Sequence, residues 1–197
     1  MERTGDWERV FVDTACFVAF AEAGHCVALS RYLGSKLRIT TDVETELKRR
    51  REEEIRLLCL QTRWPPEGAV GLPTSVVDEA RRLIDLSHDE HDHPDKNSGE
   101  ITTVLAAEVD GAALIVLEDR TGKRLARDRN VRRLSTAQLA AEMTAAGALT
   151  EDEGLAVFSR CIEDPDKVAT AWRATLREAR EAHNAPRPTG RGTRVQS

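Results

Sequence analysis

The sequence predicts an α/β fold: a parallel central sheet with helices on both faces, a three-layer α/β/α domain, followed by a C-terminal helical extension. Three observations lead there. Short apolar, β-prone runs alternate with longer segments of helical periodicity, the pattern of a parallel sheet joined by crossover helices. The two clearest strand candidates, "RVFVDT" and "AALIVLED", are buried-strand runs that each end in acids. The chain of 197 residues, 40% hydrophobic and 32% charged, is long enough for one domain with a real core and has the composition of a soluble globular protein.

In order, Val10, Phe11 and Val12 form the first strand, which ends at Asp13. "ACFVAFAEAG" and "HCVALSRYLGSK" read as helices stopped by Gly24 and Gly34. "LRIT" is a short strand, and "TDVETELKRRREEEIRLLCLQTR" reads as one long helix capped by Thr41 or Asp42. "WPPEGAVGLP" must be a loop, because prolines and glycines interrupt either regular structure. "TSVVDEARRLIDLS" is helical, with Val76, Val77, Ala80, Leu83 and Ile84 on one side. The polar segment "SHDEHDHPDKNSGE" delivers the helix "EITTVLAAEVDG". Next come the strand "AALIVLED", a short helix "RTGKRLARDR", a weak strand at "VRRL", and the helices "STAQLAAEMTAAG" and "TEDEGLAVFSRC". A last helix, "DPDKVATAWRATLREAREAH", lies outside the alternation, and the Pro-, Gly- and Arg-rich tail reads as disordered. The expected organisation is a domain over 8–161, a helix over 162–184 and a tail over 185–197.

A net charge of -5 argues against a protein that coats nucleic acid non-specifically, although a local basic patch can still meet phosphates. The cysteines at 16, 26, 59 and 161 are scattered, without a C-x-x-C pair, and fit reduced thiols in a cytoplasmic setting. No apolar stretch reaches the ~18 residues of a membrane span, and no signal-peptide pattern opens the chain.

Two strand ends carry acids, Asp13 and the pair Glu118 and Asp119, and parallel strands bring such ends to one edge of the sheet, where α/β sites lie. Glu46 and Glu100 each fall in the first turn of a helix that begins at the same edge. The ordinary reading of Glu100 is a helix cap: "NSGE" fits a capping box with Asn97 as cap and Glu100 reaching back. Asp13, Glu46, Glu100 and Asp119 nevertheless come from four separate elements, and four convergent carboxylates repel one another unless a cation lies between them. Oxygen donors of this kind suit Mg²⁺ or Mn²⁺, and such sites serve phosphoryl chemistry.

These segments resemble the PIN-domain nucleases. "VFVDTACFVAFAEAG" is similar to the family's first strand and acid. "ITTDVETEL" resembles the segment in which a valine stands three residues before the second acid and a leucine follows it. "GEITTVLAAEVDG" and "ALIVLEDRTGKRLAR" are similar to the third and fourth acidic segments of one branch, and the resemblance spans roughly residues 9 to 160. It implies a PIN-like domain in which Asp13, Glu46, Glu100 and Asp119 hold Mg²⁺ or Mn²⁺, with Glu118 an alternative fourth ligand. The implied activity is hydrolysis of RNA by metal-activated water, in many relatives as the toxin of a toxin–antitoxin pair, so the partners are an RNA substrate and an antitoxin protein. A homodimer is admitted as well. Thr14 matches the hydroxyl residue after the first acid, and Thr136, or Ser135 in its place, matches the hydroxyl near the last strand.

The choice of Glu46 rests on the family spacing, because Glu44 lies nearer the stripe formed by Val43, Leu47, Ile55 and Leu58. Arg120, Lys123, Arg124 and Arg127 follow the fourth acid and either meet substrate phosphates or form a solvated face. "KRRREEEIR" reads as a solvated face, and the tail arginines Arg187, Arg191 and Arg194 as solubilising. His88, His91 and His93 invite a transition-metal reading, but Pro94 breaks the chain directly after them, and Glu100 is the chemically important residue of that segment. Two other functions compete. One is a PIN-like module that binds RNA or protein without cutting. The other is a signalling receiver, which needs an acidic pair at its first strand end and a lysine at a later one, and neither is present.

Overall fold

The structure, a computed structural model, describes residues 3–61, 64–87, 97–111 and 113–186. The histidines at 88, 91 and 93 and the tail from 187, with its three arginines, lie outside the described residues. Four strands, β1 (Arg9–Val12), β2 (Leu37–Arg38), β3 (Ala113–Val116) and β4 (Arg133–Leu134), form one sheet in the order β2-β1-β3-β4, and every pairing is parallel. Parallel neighbours require crossovers. Helices α1 (Thr14–Glu22) and α2 (Cys26–Leu33) carry the chain from β1 to β2. Helices α3 (Thr41–Arg49), α4 (Glu53–Cys59), α5 (Thr74–Ser87) and α6 (Ser98–Asp110) lead to β3, and α7 (Arg120–Asp128) leads to β4. Three helices follow: α8 (Thr136–Ala145), α9 (Glu151–Arg160) and α10 (Pro165–Asn184).

Alternate strand residues enter two cores. Val10, Val12, Leu114, Val116 and Leu134 pack with Phe17, Phe20 and Leu139 on one face. Phe11, Ala113, Ile115 and Leu117 pack with Val104, Ala107 and Ala126 on the other. The sheet therefore lies between two helical layers, the α/β arrangement expected and one compatible with a three-layer fold. Gly24, at φ +80°, ends α1 where a left-handed residue is needed. Among the described residues no helix is long and apolar enough to cross a membrane.

Three local expectations are corrected. The long helix from 41 to 63 is two helices, because Arg50 and Glu52 are extended, at ψ 153° and 124°. The break lets Val43 and Leu47 of α3 and Ile55 and Leu58 of α4 enter one core, each at most 1% exposed. The cap of α3 is Thr40, which accepts from the Val43 amide at 3.3 Å, rather than Thr41 or Asp42. The loop after α4 also adds a rung at the sheet edge, where Val70 donates to the Ile39 carbonyl at 2.8 Å and accepts from the Thr41 amide at 3.1 Å.

Helix α10 lies outside the strand–helix alternation yet packs against α8 and α9. Trp172, Leu176 and Ala179 are buried with Ala141 and Phe158, and the Phe158 and Trp172 rings meet edge to face at 5.3 Å. Arg3, near the start of the chain, donates to the Ala182 carbonyl of this helix at 2.7 Å.

Candidate active site

The order β2-β1-β3-β4 reverses direction between β1 and β3, and ligand sites of open α/β sheets lie outside the carboxyl ends of strands at such a point. Val12 pairs with Val116, so the residues that follow both strands emerge side by side. Asp13 is fully buried there. Its Oδ1 accepts from the Cys16 amide at 2.8 Å, capping α1, and its Oδ2 accepts from the Glu118 amide at 3.1 Å. One carboxylate thus ties the end of β1 to the end of β3. Burial raises its pKa from 3.8 to about 7 against the lowering effect of the two amides, and the charges of Glu100 and Glu118 raise it further.

Glu100 occupies the first turn of α6, and burial first, then the charges of Glu46 and Asp119, hold its pKa above the usual carboxylate range. The expected capping box is not made. Asn97 adopts a left-handed conformation with no side-chain cap bond, and its amide donates to Ser87 Oγ at 3.2 Å. Glu100 accepts from its own backbone amide instead of reaching back to Asn97.

Glu46 enters from α3, in its second turn rather than the first expected, because the helix already starts at Thr41. Thr14 Oγ1 donates to its Oε2, and Ser98 Oγ donates to its Oε1 at 3.4 Å. Glu44, its rival in the sequence, pairs with Lys48 at 2.9 Å. Space for the Glu46 carboxylate exists because residue 99 is glycine: a Cβ there would stand 2.8 Å from Oε1. A glycine in the first turn of a helix, beside an acid, is the signal that sequence reading passed over.

The fourth segment supplies two acids with different duties. Asp119 caps α7, its Oδ1 accepting from the Thr121 amide at 2.6 Å and the Gly122 amide at 3.4 Å. Glu118 lines the cavity with Glu46 and Glu100, held by the Thr136 amide at 3.1 Å and the Lys123 ammonium at 3.1 Å. Asp119 stays near enough to Glu100 to raise its pKa. Sequence left the choice between the two open, and the cavity wall contains Glu118.

The hydroxyl and basic residues expected at the substrate are placed variously. Thr14 lies in the cavity wall, engaged with Glu46. The Thr136 side chain is fully buried, so it is its backbone, through Glu118, that serves the site, while Ser135 caps α8 by accepting from the Gln138 amide at 3.2 Å. Lys123 faces Glu118, Arg120 is exposed at the start of α7, and Arg127 pairs with Asp128 at 3.2 Å. Arg124 lines a separate cavity with Leu83, Leu86 and Leu125. The cations of the acidic cavity are instead Arg50 and Arg160, which sequence reading did not select.

Glu46, Glu100 and Glu118 thus line a cavity of about 420 Å³, while Asp13, buried behind its wall, and Asp119 are linked to them through charge, Asp13 with Glu100 and Glu118 and Asp119 with Glu100. Among the described residues no three acid, histidine or cysteine side chains stand close enough to enclose one ion as they are placed. The acids themselves offer oxygen donors of the kind a hard divalent cation takes, and they are partly buried and close enough for their charges to be mutually felt. Cys161, the one soft donor in the wall, is held as a thiol, its pKa pushed up to about 12, first by burial. Comparison of the chain with models of known protein families, with characterised proteins and with solved structures found no match.

Proposed function

We propose that the chain is a Mg²⁺- or Mn²⁺-dependent endoribonuclease with a PIN-like domain. The observation that carries this reading is the set of acids from β1, α3, α6 and the segment after β3, gathered beside one open cavity at the switch point of a parallel sheet. Asp13, Glu46, Glu100 and Glu118 would hold the ion, with Asp119 beside Glu100. A divalent ion at such a site neutralises phosphate charge and lowers the pKa of water. In the hydrolysis, water adds to phosphorus, the bond to one ribose oxygen breaks, and that oxygen takes up a proton.

The protein's own part is placement. Asp13 is fixed by two backbone amides, so its carboxylate cannot rotate out of the site. Glu46 is fixed by two hydroxyls, and Glu118 by an amide and an ammonium. These bonds hold each acid in one orientation, and an ion bound among them would draw their carboxylates closer together. No serine, cysteine or histidine nucleophile is required.

Purified full-length protein with Mn²⁺ should cut single-stranded RNA, with activity removed by EDTA and by Asp13→Asn. No cleavage, or equal cleavage by Asp13→Asn, overturns the reading. RNA that is bound but never cut would point to a binding module. The toxin role belongs to the same proposal: expression should arrest growth, and Asp13→Asn should relieve the arrest.

A further inference from the structure

We infer that Arg50 and Arg160 form a two-walled phosphate clamp that seats a single RNA strand across the acids; this rests on the ribonuclease reading. The cavity floor is a face of α1, where half-buried Ala15 and Val18 and buried Ala19 lie between Thr14 and Glu22. At ~1.5 Å per residue that floor is about 12 Å long. Helices α3 and α9 both pack on α1 and supply the walls.

A polyanion entering this cavity meets Glu22, Glu46, Glu100 and Glu118, so bare electrostatics would repel it. Two guanidinium groups offset the repulsion. Arg50, the residue that follows α3, stands four residues beyond Glu46, and both line the cavity. Because α3 stops there, Arg50 sits at the cavity rim rather than inside a longer helix. Its Nη2 pairs with Glu52 at 2.9 Å, while its Nε is buried without a hydrogen-bond partner. The Arg50 side chain as a whole is 39% exposed at the cavity wall, so its guanidinium can meet a phosphate oxygen there. Arg160 enters from the last turn of α9, exposed, with a long 3.4 Å contact to the Glu22 carbonyl. One arginine stands one turn from the acids on α3, and the other comes from the opposite end of the chain. Together they address the phosphates on either side of the one beside the acids. Arginine suits this role because its planar fork meets two phosphate oxygens at once.

The test uses the full chain with Mn²⁺ and a short fluorescein-labelled unstructured RNA. Arg50→Ala and Arg160→Ala should each raise KM about tenfold, with kcat changed far less, as expected for loss of a charged hydrogen bond made in both ground and transition states. In an Asp13→Asn background, binding followed by anisotropy should lose about 0.7 from the slope of log affinity against log salt for each arginine removed. Arg50→Lys and Arg160→Lys should keep the slope and recover part of the affinity, which separates a lost phosphate contact from a disturbed fold. Arg81→Ala, whose side chain pairs with Asp78 on α5, should change nothing. If the wild-type protein cuts RNA while both alanine variants keep its KM and salt slope, the clamp is wrong and the nuclease reading stands. If the wild type neither binds nor cuts RNA, both fall. A blunt duplex used as well as the single strand overturns the single-strand assignment.

Discussion

The buried carboxylate of Asp13 gives the sharpest stability prediction. Its folded pKa is about 7 against 3.8, so the folded state holds a proton that the unfolded state releases. The sign follows. Stability from this group is fully present below pH 3.8 and is lost as pH rises toward and through about 7. Between pH 5 and pH 8 the linkage integral gives a loss of roughly 2–3 kcal/mol. For a domain of this size that corresponds to a fall in Tm on the order of 5–10 °C. Thermal unfolding in EDTA, followed by circular dichroism across this range, measures it. The window avoids the carboxylates whose pKa is lowered, Glu52, Glu79 and Glu153, because their contributions are lost only in more acid solution. Glu100 and Glu142 have raised values and add slope in the same direction, so the diagnostic quantity is a difference between variants. Asp13→Asn keeps an acceptor for the Cys16 amide but turns an NH₂ group toward the Glu118 amide. It should cost about 1 kcal/mol at pH 5. It should also have a clearly shallower slope, so that the two proteins converge or cross by pH 8. Mn²⁺ at pH 8 should restore stability to the wild type more than to the variant. A variant slope equal to that of the wild type would refute the account of Asp13.

Two further substitutions probe how the acids and the last helix are held. Gly99→Ala places a methyl group 2.8 Å from Glu46 Oε1, so it should lower kcat at least tenfold while Tm changes by only a few degrees, read by RNA cleavage beside thermal unfolding. Trp172→Ala empties the contact between α10 and Phe158 and should cost about 3–5 kcal/mol, measured by urea unfolding; a loss under 1 kcal/mol would show that α10 is an appendage rather than part of the core.

What the sequence disclosed follows from the range of each physical signal. Strands β1 and β3 were legible because a local run such as "ALIV" has no other good fate, and the acids that follow were legible as its ends. That Asp13 and the acids after β3 share one edge of the sheet was legible from the parallel pattern, but that β1 pairs directly with β3 was not, since no local pattern encodes pairing across a hundred residues. The split duty of Glu118 and Asp119 has the same origin. Which carboxylate caps α7 and which faces the cavity is decided by the direction in which the chain leaves β3, and adjacent acids look alike in sequence.

Glu46 shows how one hidden break distorts a sound local argument. At about 100° per residue, a continuous helix puts Val43, Leu47, Ile55 and Leu58 around a mean direction near 55° from Val43. On that wheel Glu44 lies about 45° from the apolar centre and Glu46 about 115°. Helix α3, however, ends at Arg49, and Ile55 and Leu58 belong to α4, so only Val43 and Leu47 define its buried side. The centre then moves to about 20°, and Glu44 and Glu46 flank it equally, about 80° to either side. On the same wheel Arg50 lies within about 40° of Glu46. Once the helix is cut at the charge run, one flank carries Glu44 to its pair with Lys48, and the other carries Glu46 and Arg50 together to the cavity. The four-residue spacing sets Glu46 and Arg50 side by side, and the break, by removing Ile55 and Leu58 from the buried side, brings their flank as near to the core as that of Glu44.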